Sequence, residues 1–211
     1  MFTFNREYYL LRNPNGNSYL GGEPPECLNI PKNNCPGSFQ YLGYLDNHDC
    51  GFKFLEFGFH LICPIYMNID KVWLDYSDPT SPQIINYDEI DSLDTAYDAL
   101  NETSIVVFEK TPFITLPAKR KHMDRLGRAG KPRWIQDDDS PTCIKSNTKM
   151  KFLCQLEYQF QEPIKTAYTN VKNEDDFYDQ YFNEMNFWGS GDLYVFFEKE
   201  SKTACYFIQK T

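Results

Sequence analysis

The sequence predicts an α+β protein: two related, mostly antiparallel β-rich halves packed together, with a few short acidic helices. Three observations carry this. Aromatic residues make up 17% of the 211 residues, with 17 Phe and 15 Tyr, and such side chains suit pleated, half-buried surfaces better than helix bundles. Two distant stretches share an order of parts. Gly21-Gly22-Glu23-Pro24-Pro25, a polar Cys-containing loop and the alternating run Phe39 to Asp46 are matched by Gly130-Lys131-Pro132-Arg133-Trp134, a second such loop and Lys151 to Glu157. An internal duplication accounts for that order, although Gly-Pro turns before strands also occur in unrelated chains. Finally, two segments switch to helical spacing and carry rows of carboxylates. The halves divide into residues 1–118 and 119–211; the length suits one compact domain equally.

In the first half, Arg12-Asn13-Pro14-Asn15-Gly16-Asn17 has the Pro and Asn-Gly pairs of a tight turn and is expected to join two edge strands. Between Phe52 and Met67 the apolar residues change parity across Glu56, which predicts a bulge or two short strands separated by a turn. Lys71 to Tyr76 reads as a strand, closed by the breakers Ser77-Asp78-Pro79-Thr80-Ser81-Pro82. Over Tyr87 to Asn101, Ile90, Leu93, Tyr97 and Leu100 fall on one helical face, and Asp88, Asp91, Asp94 and Asp98 project beside it. Like charges at that spacing cost a few tenths of a kcal/mol each. A solvated helix face accounts for the same pattern. Ile105 to Phe108 and Pro112 to Pro117 are two further strands.

The second half is entered through a basic segment from Lys119 to Arg133, expected to cross between the halves; Gly127 and Gly130 argue against a long helix there. Lys151 to Phe160 alternates, with Phe152, Cys154, Leu156, Tyr158 and Phe160 on one face, and predicts a strand whose other face is wet. Asp175 to Met185 carries Phe177, Tyr178, Tyr181, Phe182 and Met185 on a helical stripe, with Asn173 as cap and Glu174, Asp175 and Asp176 in the first turn. Asp192 to Phe197 and Ala204 to Gln209 read as a closing hairpin.

Charge narrows the function. The net charge is -9, while the segment from Lys119 to Arg133 carries +6, so the remainder carries -15. That field repels nucleic acid over most of the surface and favours a basic partner. The basic segment lacks interleaved aromatics for base stacking, and neutralising the acidic body of the chain accounts for it. The seven cysteines include no Cys-x-x-Cys, and Ser146 follows Cys143-Ile144-Lys145 where a zinc knuckle needs a second thiolate. The thiols are expected to be reduced and mostly buried, with no metal and no cofactor. His48, His60 and His122 sit in no recognisable nucleophile arrangement, and His60, inside an apolar run, reads as a hydrogen-bonded core residue. No apolar stretch reaches the length of a signal peptide or a membrane span, so the expected location is the cytoplasm.

In this order the parts resemble the YwqG-like family of bacterial proteins. The resemblance rests on Gly21-Gly22-x-Pro24, Gly130-x-Pro132-x-Trp134-Ile135-Gln136, Pro141-Thr142-Cys143, Met150 to Leu156 and Trp188 to Phe197. It implies an α+β fold of two related β-rich halves. Some relatives carry a Cys-x-x-Cys before the Met-x-Phe-Leu strand; Ser146 departs from that pattern. The family is similar in style to immunity proteins that sit beside bacterial toxins, an association that fold alone does not fix.

The function expected from these features is that of a non-catalytic binding protein: a cytoplasmic immunity protein that occludes a basic, nuclease-like toxin. The residues expected to meet that partner are Asp88, Asp91, Asp94 and Asp98; Asp137, Asp138 and Asp139; and Glu174, Asp175, Asp176 and Asp179. A hydrolase of unknown substrate and a housekeeping binding protein are the alternatives.

Overall fold

A computed structural model of the chain describes residues 6–32, 39–66, 70–91, 100, 104–118, 125–159, 162–171 and 180–210. The strands in chain order are β1 (Tyr8–Arg12), β2 (Ser18–Leu20), β3 (Gln40–Leu45), β4 (Phe59–Cys63), β5 (Val72–Asp75), β6 (Gln83–Ile84), β7 (Val106–Phe108), β8 (Thr111–Pro117), β9 (Arg125–Ala129), β10 (Lys151–Leu156), β11 (Thr166–Thr169), β12 (Asp192–Glu198) and β13 (Thr203–Gln209). Eleven of them form one sheet in the order β4-β3-β2-β8-β1-β9-β10-β12-β13-β5-β6, and β11 pairs with β7 in a small second sheet. Every pairing is antiparallel.

The α+β expectation is therefore corrected to a nearly all-β protein. Among the described residues the one α-helix is the short α1 (Tyr87–Asp91). The rest of the helix expected to Asn101, except Leu100, lies outside the described residues, as do 175–179 of the second and its expected cap, Asn173. Its remaining part is a single 3-10 turn at Gln180–Phe182. Strand pairing overrides the helical stripe there: Glu184 bridges to Lys165, and Thr166 N–H donates to the Asn183 carbonyl at 2.9 Å.

The opening is not a hairpin of edge strands. β1 and β2 lie on opposite sides of β8, which pairs with both of them at Phe113. The turn between them crosses over β8 so closely that a Cβ on Gly16 would stand 2.0 Å from the Phe113 carbonyl oxygen, which only glycine tolerates. The parity change after Phe52 is resolved by turns through Phe54, followed by β4. The closing hairpin does form, in continuous register from Asp192↔Gln209 to Glu198↔Thr203.

A sheet of eleven strands curls on itself. β4, at one edge, packs on strands from the other end: Phe59 stacks on Tyr76 at 4.3 Å and meets Phe197 edge-on. Tyr76 donates its hydroxyl proton to the His60 carbonyl at 2.7 Å, so the 2.7 Å contact with Tyr206 is donated by Tyr206. The main core fills this fold and runs from Leu10 through Leu61, Leu126 and Leu153 to Val195.

The predicted wet face of β10 is buried. From Phe152 to Leu156 the strand is covered on both sides, and a register shift between Phe152 and Cys154 breaks the strict alternation. Cys154 and Leu156 join the main core, whereas Phe152 joins a second cluster with Trp73, Cys143, Met150, Tyr194, Phe196, Cys205 and Phe207. What covers that cluster is the polar loop that follows β9.

Candidate partner-binding face

The loop leaves β9 at Gly130, whose φ of +81° and closeness to the Arg6 carbonyl exclude a side chain. Residues 133–137 then lie across the sheet as a strap, held by side chains in place of a neighbouring strand. The Arg133 N–H donates to the Gln155 side-chain oxygen at 2.9 Å, and the Arg133 carbonyl accepts the Tyr194 hydroxyl at 2.6 Å and the Gln155 amide at 3.1 Å. The Gln209 side-chain oxygen accepts N–H from Ile135 and Gln136, both at 3.2 Å, while its amide donates to the Asp137 carbonyl at 3.0 Å. Gln155 is fully buried and Gln209 nearly so, which satisfies backbone groups that burial would otherwise leave unpaired.

Trp134 anchors the strap. Its ring stacks on Tyr194 at 5.1 Å and on Phe196 at 6.0 Å, nearly parallel to both. Ile85, just ahead of α1, packs on the same cluster. The strap and the start of α1 are thus two covers on one apolar patch.

Hydrogen bonds here link the segments that carry two of the predicted acidic clusters. Asn86 donates its side-chain amide to the Lys71 carbonyl and to Glu89, each at 2.8 Å, and accepts the Trp73 N–H at 2.9 Å. Lys71 in turn reaches Asp139 at 2.8 Å, with its ammonium 5.4 Å from the centre of the Phe207 ring. The chain Glu89–Asn86–Lys71–Asp139 ties α1 to the end of the strap. In these segments Asp70, Asp88, Asp137, Asp138 and Asp139 are exposed.

These carboxylates are not equivalent. Asp139 is ion-paired with Lys71. Asp138 folds back on Ser140, accepting its hydroxyl at 2.7 Å and its N–H at 3.0 Å, and these bonds hold its pKa below the ordinary carboxylate value. Asp88 lies in the first turn of α1, and Asp91 closes that helix. Asp94, Asp98, Glu174, Asp175, Asp176 and Asp179 lie outside the described residues.

The basic segment contributes two arginines to an internal network. Arg125 donates to Glu157 at 2.6 Å, and Arg128, mostly buried, donates to Glu157 and to Glu7, each at 2.7 Å. Both guanidinium groups lie over the Tyr9 ring. Pairing within the chain therefore absorbs part of the +6. Lys119 to Asp124 lie outside the described residues.

Sequence reasoning missed the strap. Its anchors are ordinary Gln and Tyr residues on β10, β12 and β13, and only Trp134, a large aromatic in a polar loop, was a visible signal. Cys143 lies in the loop ahead of β10, as expected, and is buried there. His60 is half-buried and hydrogen-bonds Tyr41 through Nδ1 at 3.2 Å; burial lowers its pKa. Among the described residues no group of three or more His, Cys, Asp or Glu is placed to hold a metal ion, and no described helix is long and apolar enough to cross a membrane. No family model, no curated protein and no solved structure matches the chain.

Proposed function

We propose that the protein is a stoichiometric binding protein of the immunity type, which neutralises a basic, nuclease-like toxin by covering its active cleft and performs no chemistry of its own. The observation that supports this reading is the link Glu89–Asn86–Lys71–Asp139, which ties α1, with its exposed Asp88, to the loop that carries the exposed Asp137 and Asp138. A cleft built to hold phosphates is lined by cations, and a fixed group of carboxylates offers it complementary charge without a reaction. The cytoplasm is the compartment this role requires.

The experiment co-expresses the tagged chain with the product of the gene beside its own and measures the complex by calorimetry. A one-to-one complex with a basic protein, weakened at least about tenfold by the triple change Asp88→Asn, Asp137→Asn and Asp138→Asn, supports the reading. A complex indifferent to those changes and to salt would sink it.

A further inference from the structure

A cleft of about 590 Å³ opens on other residues, among them Tyr158, Tyr181, Trp188, Asn183, Glu184 and Ser190. Its frame is fixed. Asn186, almost fully buried, donates to the carbonyls of Tyr181 and Glu184 and accepts the Gly189 N–H at 3.1 Å. Trp188 holds a left-handed φ of 52° and Gly189 one of 88°, a conformation that costs a bulky residue about 1–3 kcal/mol and clusters at functional sites. The Trp188 N–H donates to the Ile65 carbonyl at 3.1 Å, which helps to hold that turn in place.

The chemistry of the cleft selects its ligand. Glu184 accepts the Tyr158 hydroxyl at 2.9 Å and the Lys165 ammonium at 3.2 Å, and the Lys210 ammonium stands 4.5 Å from the centre of the Trp188 ring. Both places that would attract a cation, the carboxylate and an indole face, already hold one from the chain itself. A phosphate would meet Glu184 and find both ammonium groups engaged, Lys165 by that carboxylate and Lys210 by the indole. The side chains of Asn183 and Ser190 make no hydrogen bond among the described residues and offer an amide and a hydroxyl to a guest. Aromatic faces for C–H contact, a paired carboxylate and ammonium, and uncommitted neutral polar groups together fit a neutral molecule dense in hydroxyls. The volume lies within the range of ligand sites, about 300–1,000 Å³.

We propose that this cleft binds a short neutral oligosaccharide, as a site separate from the acidic face. The test applies the full-length protein to an array of neutral oligosaccharides and follows the best of them, both free and attached to a carrier glycoprotein, by calorimetry and tryptophan fluorescence. Saturable binding with a change in Trp fluorescence is expected, weakened about tenfold or more by Asn183→Ala and by Glu184→Gln. Circular dichroism and thermal melting verify that both variants fold. Binding to the free sugar and the conjugate alike assigns the site to the sugar itself, and preference for the conjugate assigns it to a glycosylated surface. Retention of no neutral sugar, unchanged affinity in both folded variants, or capture of an arginine-rich peptide in place of sugars overturns the proposal.

Discussion

Lys71 and Asp139, 68 positions apart in sequence, form an ion pair at 2.8 Å that joins the start of β5 to the end of the strap. The pair spends one carboxylate of the acidic face. Replacing Lys71 with Met keeps the stem that covers Phe207 and releases Asp139. The exposed pair is worth only about 0–1 kcal/mol, so stability should fall by less than that. Association with a basic partner should accelerate, with a steeper dependence on salt. Stopped-flow measurements at two ionic strengths decide it: an unchanged association rate removes the face from the binding event.

The strap is expected to stand or fall with Gln155. Changing this buried amide to Leu leaves the Arg133 N–H without its acceptor and one oxygen of the Asp192 carboxylate without its donor, at a cost of about 2–4 kcal/mol. Burial already raises the Asp192 pKa, against hydrogen bonds from Gln155 and the Tyr158 N–H. Hydrogen exchange should show residues 133–137 losing protection before the β12–β13 hairpin does. Simultaneous loss in both places contradicts an independently anchored strap.

The elements legible in the sequence are those whose signals are local. β5 ends at a run of Pro and Ser, β8 alternates, and the β12–β13 hairpin is two aromatic runs around a polar turn. Strand neighbours were not legible, because β8 separates β1 from β2 through contacts about a hundred positions away in sequence. The stripe of Tyr181, Phe182 and Met185 satisfied helical spacing, yet Asn183 and Glu184 are claimed by Lys165 and Thr166. Nor could alternation reveal that β10 is covered twice, since its cover is a polar loop. Asp88 and Asp137 to Asp139 were legible as charges; the link from α1 through Lys71 to Asp139 was not.

Tyr76 and Tyr206 close the curled sheet. Tyr76→Phe removes the donor to the His60 carbonyl and the acceptor of the Tyr206 proton in the core, where neither ring is exposed. The expected loss is about 2–3 kcal/mol, read as a lower urea midpoint with an unchanged slope. Tyr206→Phe leaves the bond from Tyr76 to His60 intact and should cost about 1 kcal/mol. Equal losses in the two variants would contradict the donor order assigned to the pair.

Cys143 supplies a pH-dependent readout of the strap's far end. Burial pushes its thiol up, but hydrogen bonds from Ser146 and Ser201 and from the N–H groups of Ser146 and Lys145 outweigh burial and bring the pKa down to about 7. Because the folded value lies below the unfolded one, the thiolate's contribution to stability is complete above the unfolded value of about 8.5 and is lost as pH falls through about 7. Alkylation of the folded protein should therefore rise with a midpoint near pH 7 at Cys143, at a slow absolute rate because the sulfur is covered. Cys154 and Cys205, which burial pushes well above the ordinary thiol value, should stay silent across that range. Ser201→Ala removes the hydroxyl 3.3 Å from the sulfur and should move the midpoint upward. A midpoint that stays in place, followed by mass spectrometry of the Cys143 peptide, would show that Ser146 and the turn's backbone amides set the acidity of the thiol without Ser201.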